Sequence, residues 1–250
     1  MADDLRKQAP ATGRSGLEAG AVDRLRRAQV RNEEWLAAGL AMVAGFVDAY
    51  GIITYGVYLS FMSGNTTQTG YQTAEGAFGP ASLSALAILF FVGGAFAGTL
   101  LVQFAGRWAR RAVFGVVAAV LAAIIGFTLL RLLSAAVHVA TGSFAMGMMN
   151  IALSRVGAQP VSLTFVTGAL SRIGSSLALA LRRAPLPDAQ GPWDTHLRRA
   201  MLLARIWAGF LAGALLSGAA TPRYGAWVLA APALILAAMA AFDHPKGRAR

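Results

Sequence analysis

The feature that most constrains this chain is a small polar segment that occurs twice within apolar surroundings. Residues 57–64 read V-Y-L-S-F-M-S-G, and residues 161–168 read V-S-L-T-F-V-T-G, 104 positions later. The match extends to Gly70 and Gly174. A repeat of this size predicts a chain that folds as two similar halves, each with the polar segment at the same place.

A second match follows in each half. Gly94 and Gly98 form a G-x-x-x-G pair in apolar sequence, and Gly209 and Gly213 form another, so that Gly94 aligns with Gly209. Such pairs allow the backbones of two helices to approach closely. We interpret them as helix crossings, between the repeats or between protomers, and assign them no chemistry.

Composition identifies an integral membrane protein. The 250 residues are 56% hydrophobic and only 13% charged, with a mean hydropathy of +0.57. About a quarter of the residues of a soluble domain are charged. The net charge of +11 does not indicate nucleic acid, because the basic residues cluster at the ends of apolar stretches. Cysteine is absent and the three histidines are scattered, so we expect no metal and no cofactor.

Six apolar stretches are long enough to cross about 30 Å of hydrocarbon. The polar elements 57–77 and 160–182 either cross as well or form broken, re-entrant pieces. Residues 1–34 read as a cytoplasmic tail, disordered or partly helical, and residues 244–250 as a basic cytoplasmic tail. Between the tails lie repeat one, residues 35–132, and repeat two, residues 133–243. The six stretches are 36–56, 82–105, 112–131, 134–154, 200–220 and 225–242.

The positions of the arginines favour six crossings. With a cytoplasmic N-terminus and neither polar element crossing, only Arg131 and Arg223 fall outside. If both polar elements crossed, Arg107, Arg110 and Arg111 would also lie outside, against the positive-inside rule. We therefore predict six crossings with both termini cytoplasmic. Three crossings per repeat is an odd number, so the second repeat is inverted and the polar elements open to opposite faces.

The first polar element supplies candidate site residues: Ser63, Gly64, Asn65 and Gln68. Gly64 is a natural point for a break in the helix, and Ser63 is placed to cap the half-helix that follows. Free N–H groups at such a break favour an anion or a polar oxygen. The alternative is that these small residues only let helices pack closely.

The second polar element carries matching candidates. Gly168 is the corresponding break point and Thr167 the corresponding cap. Arg172 follows Gly168 by four residues, as Gln68 follows Gly64. An arginine there can pair with a carboxylate or hold an anionic substrate. The alternative is that Arg172 extends to the cytoplasmic surface.

Asp48 is the only carboxylate within an apolar span. A charge at that depth costs roughly 2.5–3.5 kcal/mol on insertion scales, so it indicates function, here as a proton carrier. Asn150 lies at nearly the equivalent place in the second repeat and has the same shape without the charge. The alternative is a hydrogen-bonded packing residue, which is also how we interpret His138.

Two pairs of motifs resemble a known family. Residues 44–50, A-G-F-V-D-A-Y, and residues 60–65, S-F-M-S-G-N, resemble the signature of the YoaK-type family of bacterial inner-membrane proteins (domain of unknown function 1275). Residues 145–150 and 166–168 look like its second pair, except that Met149 stands where the family often has Gln. The resemblance covers about residues 36–242. It implies a multi-span membrane protein and no established activity.

These observations predict an all-α fold and a secondary transporter for a small polar or anionic solute, with Asp48 as the proton-linked group. A passive channel and a membrane scaffold are the alternatives. We expect no enzyme, because the chain has no H-E-x-x-H, no G-x-S-x-G and no Walker loop. The expected partners are the lipid bilayer and the solute. A homo-oligomer stays open, and nucleic acid is not expected.

Overall fold

The computed structural model describes residues 12–130, 132, 134–152, 155–156, 159–160 and 166–243. These residues form eight α-helices and one pair of two-residue antiparallel strands, β1 (Arg155–Val156) and β2 (Gln159–Pro160). The all-α prediction is confirmed. The helices are α1 Thr12–Tyr55, α2 Met62–Ala74, α3 Phe78–Ala105, α4 Ala109–Leu129, α5 Ala135–Ile151, α6 Val166–Leu181, α7 His196–Tyr224 and α8 Ala230–Phe242.

Three helical stretches are long and apolar enough to cross a membrane: Asp23–Tyr55, Phe78–Leu129 and His196–Phe242. The second would be about 78 Å long if it were continuous, far more than a bilayer needs. It is instead divided at Gly106, whose φ of 54° begins a short turn between α3 and α4. Gly225, with a φ of 52°, divides the third stretch between α7 and α8 in the same way. The membrane-type fold is therefore shown, and the total of six crossings stays a prediction.

The helices of the two halves pack against each other in crossed pairs, α1 with α7 and α3 with α5. In each pair the backbones touch where a glycine faces a carbonyl group. A Cβ atom at Gly94 would overlap the carbonyl oxygen of Phe144, and one at Gly213 would overlap that of Met42. The predicted close crossings are thus confirmed, and both lie between the halves of one chain.

In each pair the partner helix also has a glycine that faces a carbonyl group of the first helix. A Cβ atom at Gly147 on α5 would overlap the carbonyl oxygen of Phe91, and one at Gly45 on α1 would overlap that of Phe210. The two interfaces therefore use equivalent positions.

This equivalence changes the alignment of the halves. The counterpart of Gly94 is Gly213, whereas the sequence match had paired Gly94 with Gly209. Two sequences rich in small residues can be aligned in more than one register. The contacts between helix backbones fix which of these registers is correct. When the two halves are aligned by these backbone contacts, Asp48 and Asn150 each lie three residues after matched glycines, Gly45 and Gly147.

The N-terminal part of α1 differs from the prediction. Residues 12–34 are helical and continue directly into the apolar part of α1, where a separate tail, disordered or partly helical, was expected. The partners that hold this extension come from the far end of the sequence. Glu34 is buried and pairs with Arg198 at 2.8 Å and with Arg205 at 3.0 Å. Sequence patterns near residue 30 contain no information about those arginines.

The connection between α6 and α7, residues 182–195, is folded onto the start of α7. The guanidinium group of Arg199 binds the Asp194 carboxylate through two hydrogen bonds of 2.8 and 2.9 Å. It also binds the Asp188 carboxylate at 3.0 Å. The hydrogen bonds from Arg199 hold the pKa of the Asp194 carboxyl below its ordinary value. The ionised form of Asp194 therefore stabilises the folded connection.

We expect Gly94→Ala to push α3 away from α5, because the new methyl group overlaps backbone that cannot rotate aside. Overpacking of this kind costs about 1–3 kcal/mol. The matched control is Gly126→Ala on α4, where no atom lies within 4 Å of the added Cβ. Thermal unfolding in detergent should show a lower midpoint for the first variant alone. Equal midpoints would contradict the packing described here.

We expect acid to loosen the connection 182–195. A depressed pKa contributes stability above the ordinary pKa of the carboxyl, and this contribution is lost as pH falls through the lower value in the folded protein. Amide exchange across residues 188–194, corrected for intrinsic rates, should therefore rise below about pH 4. The Asp194→Asn variant should exchange fast already at pH 7 and change less on acidification. A wild-type profile that is flat down to pH 3 would be evidence against this role.

Candidate functional site

The candidate site is the break between α1 and α2, residues 56–61. Helix α1 ends at Tyr55, and Gly56 turns the chain with a φ of 72°. Helix α2 then begins at Met62. The break was predicted at Gly64 with Ser63 as the cap, and this detail is wrong, because both residues lie within the first turn of α2. The N-cap position is Phe61, whose side chain makes no capping hydrogen bond.

Gly64 is needed for a different reason. A Cβ atom there would lie 2.6 Å from the ring of Phe61 and 2.9 Å from the ring of Tyr58. These two rings pack edge to face, with centroids 5.3 Å apart. Gly64 therefore gives the aromatic pair room to fold back over the start of α2. Ser63 is exposed, and its carbonyl oxygen accepts a hydrogen bond from Thr67.

Asp48 holds the break from the side of α1. Its side chain is only 3% exposed. One carboxylate oxygen accepts a hydrogen bond of 2.6 Å from the backbone N–H of Ser60, and the other accepts one of 2.7 Å from the Ser60 hydroxyl. Both oxygens are therefore used to fix one residue of the break. Asp48 is therefore part of the hydrogen bonding that forms the break, and it does not lie on an open surface.

Asn65 holds the same break from the side of α2. It is completely buried, and its amide group forms a two-point contact with the backbone of Tyr58. The Asn65 Nδ2 donates to the Tyr58 carbonyl at 2.6 Å, and the Tyr58 N–H donates to Oδ1 at 3.0 Å. An isolated backbone N–H and C=O in apolar surroundings each need such a partner. Asn65 therefore replaces the helix hydrogen bonds that Tyr58 lacks.

Gln68 completes the set one turn further along α2. Its Nε2 donates to the carbonyl oxygen of Gly56 at 3.2 Å, and its Oε1 accepts from the hydroxyl of Ser84 on α3 at 3.4 Å. The first residue of the break is thus tied to both α2 and α3. Asn65 and Gln68, both predicted site residues, thus turn inward onto the break.

A second polar cluster lies where α1 ends. The hydroxyls of Tyr50 and Tyr55 are 3.2 Å apart, and the Tyr55 ring stacks on the buried imidazole of His138, with centroids 5.6 Å apart. His138 Nε2 lies 2.7 Å from the Thr128 hydroxyl, and Nδ1 lies 2.9 Å from the Ser134 carbonyl oxygen. Both ring nitrogens therefore have partners, in agreement with the interpretation of His138 as a packing residue. The cluster joins the ends of α1, α4 and α5.

The second half repeats the arrangement only in part. Ala169 stands where the first half has Asn65, and it is buried. Thr167 and Gly168 lie in the first turn of α6, so Gly168 is not a break point within the described residues. Arg172 lies on the exposed side of α6. The counterpart of Ser60 is Thr164, which lies outside the described residues.

Asn150 is the counterpart of Asp48 in this half. Its side-chain oxygen is buried, and within the described parts of the chain no group donates a hydrogen bond to it. The structure thus brings Asp48, Asn65 and Gln68 together at one break. The predicted residues of the second half belong to other helices, Asn150 to α5 and Thr167, Gly168 and Arg172 to α6. Within the described ranges, no cluster of three or more His, Asp or Glu residues could hold a metal ion.

Sequence reasoning missed Ser60 and Tyr58, which are the direct partners of Asp48 and Asn65. A signal for Ser60 was present, because the repeated segment has a hydroxyl residue there in both halves, Ser60 and Thr164. No side-chain signal exists for Tyr58, since only its backbone is used. Its side chain contributes a ring contact that many residues could make.

The fold and the buried polar break define a helical integral membrane protein. Comparison with known sequences agrees: the chain belongs to the family described as "Protein of unknown function (DUF1275)", which it matches over residues 36–242. It is similar to a UPF0700 transmembrane protein of Rhizobium meliloti (strain 1021), with 32% identity over 219 residues, covering 84% of this chain and 87% of the relative. The expected family is thereby confirmed. No solved structure matches the chain.

We expect Asn65→Ala to release the break. The substitution leaves the N–H and the carbonyl group of Tyr58 without partners, at roughly 1–3 kcal/mol for each buried group. Amide exchange at residues 57–60 should become about tenfold faster or more, while exchange in the middle of α3 stays unchanged. Thr66→Ala is the matched control, because the Thr66 hydroxyl bonds only to the Met62 carbonyl of its own helix. Similar exchange in both variants would contradict the role given to Asn65.

Proposed function

We propose that this protein is a secondary transporter for a small polar or anionic solute, coupled to protons at Asp48, and not an enzyme. One observation carries the proposal: an ionisable carboxylate is buried against a helix break and uses both oxygens to hold it. Broken helices of this kind form the binding sites of many secondary transporters. Irregular backbone at membrane depth persists only where protein or a water-filled cavity satisfies it.

The directions of the helices support an inverted arrangement of the halves. Contacts between α3 and α5 advance together, from Gly94 beside Phe144 to Gly98 beside Met148, so these helices run parallel. Helices α1 and α7 also run parallel, since Gly209 lies beside Ala38 and Gly213 beside Met42. In a six-crossing topology, parallel pairs of this kind relate the halves by a two-fold axis in the membrane plane. The polar elements then face opposite sides.

Ion pairs at the helix ends support the same topology. Arg198 at the start of α7 pairs with Glu34, just before the apolar part of α1, which brings the start of that part and the start of α7 to one side. Arg110 at the start of α4 pairs with Asp243, just after α8. Both pairs are expected on the cytoplasmic side of a bacterial inner membrane, where the basic residues of the chain accumulate. The first break, 56–61, then opens to the outside.

In the proposed mechanism, protonation of Asp48 changes its hydrogen bonds to Ser60. The ionised carboxylate accepts two hydrogen bonds from Ser60, but a protonated carboxyl has one oxygen that must donate. The Ser60 hydroxyl then has to turn and accept, or the contact is lost. A proton arriving at Asp48 therefore weakens the attachment of the break to α1, and its release restores it. In this scheme the break is the moving element and Asp48 sets its position.

The alternatives differ in what they require. A passive channel needs the break but has no use for the charge on Asp48. A scaffold needs a free helix surface for its partner, but both glycine pairs are occupied by contacts between the two halves of the chain. The transporter is the candidate that uses both the break and the carboxylate.

We expect Asp48→Asn to fold and to lose proton dependence. The amide oxygen can accept from the Ser60 N–H and its Nδ2 can donate to the Ser60 hydroxyl, so the shape of the site is kept while the exchangeable charge is removed. Metabolite profiles of cells with and without the protein identify the solute. Uptake of that solute into proteoliposomes is then measured with and without an imposed pH gradient.

The wild-type protein should take up the solute faster when the gradient is present, and Asp48→Asn should not respond to it. Asp243→Asn, which also removes one carboxylate but lies after α8, should respond like the wild type. Uptake that ignores the gradient in all three proteins would favour the channel. Unchanged metabolite profiles across growth conditions would exclude transport and leave the scaffold.

A further inference from the structure

A second feature, separate from the break, lies where the N-terminal extension of α1 meets the start of α7. The two elements border an open surface cavity of about 430 Å³. Its walls contain four arginines and one tryptophan, drawn from parts of the chain more than 160 positions apart. The lining residues are Arg24, Arg27, Ala28, Arg31, Trp193 and Arg198.

Three of the arginines belong to one face of a helix. Arg24, Arg27 and Arg31 follow a spacing of three and four residues on α1, which aligns their side chains along one side. Arg198 approaches from the first turn of α7. Four like charges converging on one space repel one another in the absence of anions.

Carboxylates near the cavity balance only part of this charge. Arg27 pairs with Asp23 at 2.8 Å, and Arg198 pairs with Glu34 at 2.8 Å. Glu34 is shared with Arg205, which is not a lining residue. Within the described residues, Arg24 and Arg31 form no ion pair, and no acidic side chain lines the cavity. Positive charge is therefore left over on the side that faces the cavity.

The wall opposite α1 is held in place. The Trp193 indole N–H donates to the Asp23 carboxylate at 2.9 Å, and the guanidinium of Arg198 lies 4.2 Å from the centre of the indole ring. A Cβ atom at Gly191 would lie 2.9 Å from Nε1 of Trp193 in the same connection and 3.3 Å from the Asp23 carboxylate of α1, so a side chain there would crowd this hydrogen bond. The cavity is thus built by specific contacts and is not a chance gap between mobile side chains.

We propose that this cavity binds a phosphate-bearing anion. Planar guanidinium groups match phosphate oxygens with two hydrogen bonds each, which makes arginine clusters typical phosphate sites. The volume is enough for a phosphate group with a small substituent. Two sources share this chemistry, the headgroup of an anionic lipid and a soluble phosphate compound.

The position of the cavity relative to the bilayer is the reason to include the lipid. The apolar part of α1 begins at Leu36, five residues and about 8 Å beyond Arg31. A basic cluster directly beside a membrane helix attracts anionic headgroups. Arg24, Arg27 and Arg31 precede the family match, which begins at residue 36, while Trp193 and Arg198 lie within it. The cavity shares no residue with the break and does not rest on the proposed transport function.

The test uses the full-length protein in neutral detergent with three probes: inorganic phosphate, short-chain phosphatidic acid and short-chain phosphatidylcholine. Binding is measured from the rise in unfolding temperature as the probe concentration increases. The variant Arg24→Gln/Arg31→Gln removes the two arginines that have no ion pair. The matched control, Arg107→Gln/Arg111→Gln, removes two arginines that flank Trp108 at the turn between α3 and α4.

We expect saturable binding of phosphate or phosphatidic acid to the wild type, and no binding of phosphatidylcholine. The cavity variant should bind about tenfold more weakly or worse, and the control variant like the wild type. Binding of phosphatidic acid without phosphate identifies a lipid headgroup as the source, and binding of phosphate itself identifies a soluble compound. Equal losses in both double variants, or no binding of either phosphate probe, would overturn the proposal.

A measurement on the unaltered protein guards against misfolding of the variant. Phenylglyoxal modifies accessible arginines, and mass spectrometry locates the products. A bound phosphate probe should protect Arg24 and Arg31 while Arg107 and Arg111 react as before. Uniform reactivity with and without the probe would also overturn the proposal.

Discussion

The hydrogen bonds that Asp48 and Asn65 make to the segment 56–61 are the interactions on which the first half depends. A helix that ends within apolar surroundings leaves N–H and C=O groups that no solvent can satisfy. Here two buried side chains supply the missing partners, one from the helix before the break and one from the helix after it. Without them the backbone groups of the break would lack partners, and the segment would no longer be held against α1 and α2.

The same constraint explains why the two halves are alike in packing and different in chemistry. Their interfaces use matched glycines against matched carbonyl groups, so the backbone is repeated closely. At the polar positions, however, the second half has Asn150 in the place of Asp48 and Ala169 in the place of Asn65. The glycines at the helix contacts cannot be replaced, because any side chain would overlap the facing backbone. A hydrogen-bonding side chain can differ between the halves if function needs the polar site in only one of them. The charge therefore resides in one half, an asymmetry that suits the proton coupling proposed above.

The extension of α1 adds a further level of organisation. It is held by residues of the second half through Glu34, Trp193 and the connection before α7. These contacts tie the beginning of the chain to residues near position 200 and create the basic cavity as a consequence. A segment that composition alone describes as a polar tail becomes a structural element because of partners far away in sequence.

The sequence by itself determined that the chain is an all-α membrane protein of repeated construction, and it singled out Asp48 and Asn65. These conclusions rest on composition, apolar length and the cost of a charge in hydrocarbon, which are properties of the residues themselves. Only the tertiary structure decided that the break lies at residues 56–61 and not at Gly64, that Gly94 matches Gly213, and that residues 12–34 form one continuous helix with the apolar part of α1. Each of these depends on which atoms come into contact between segments that are distant in sequence, and the residue types alone do not predict those contacts.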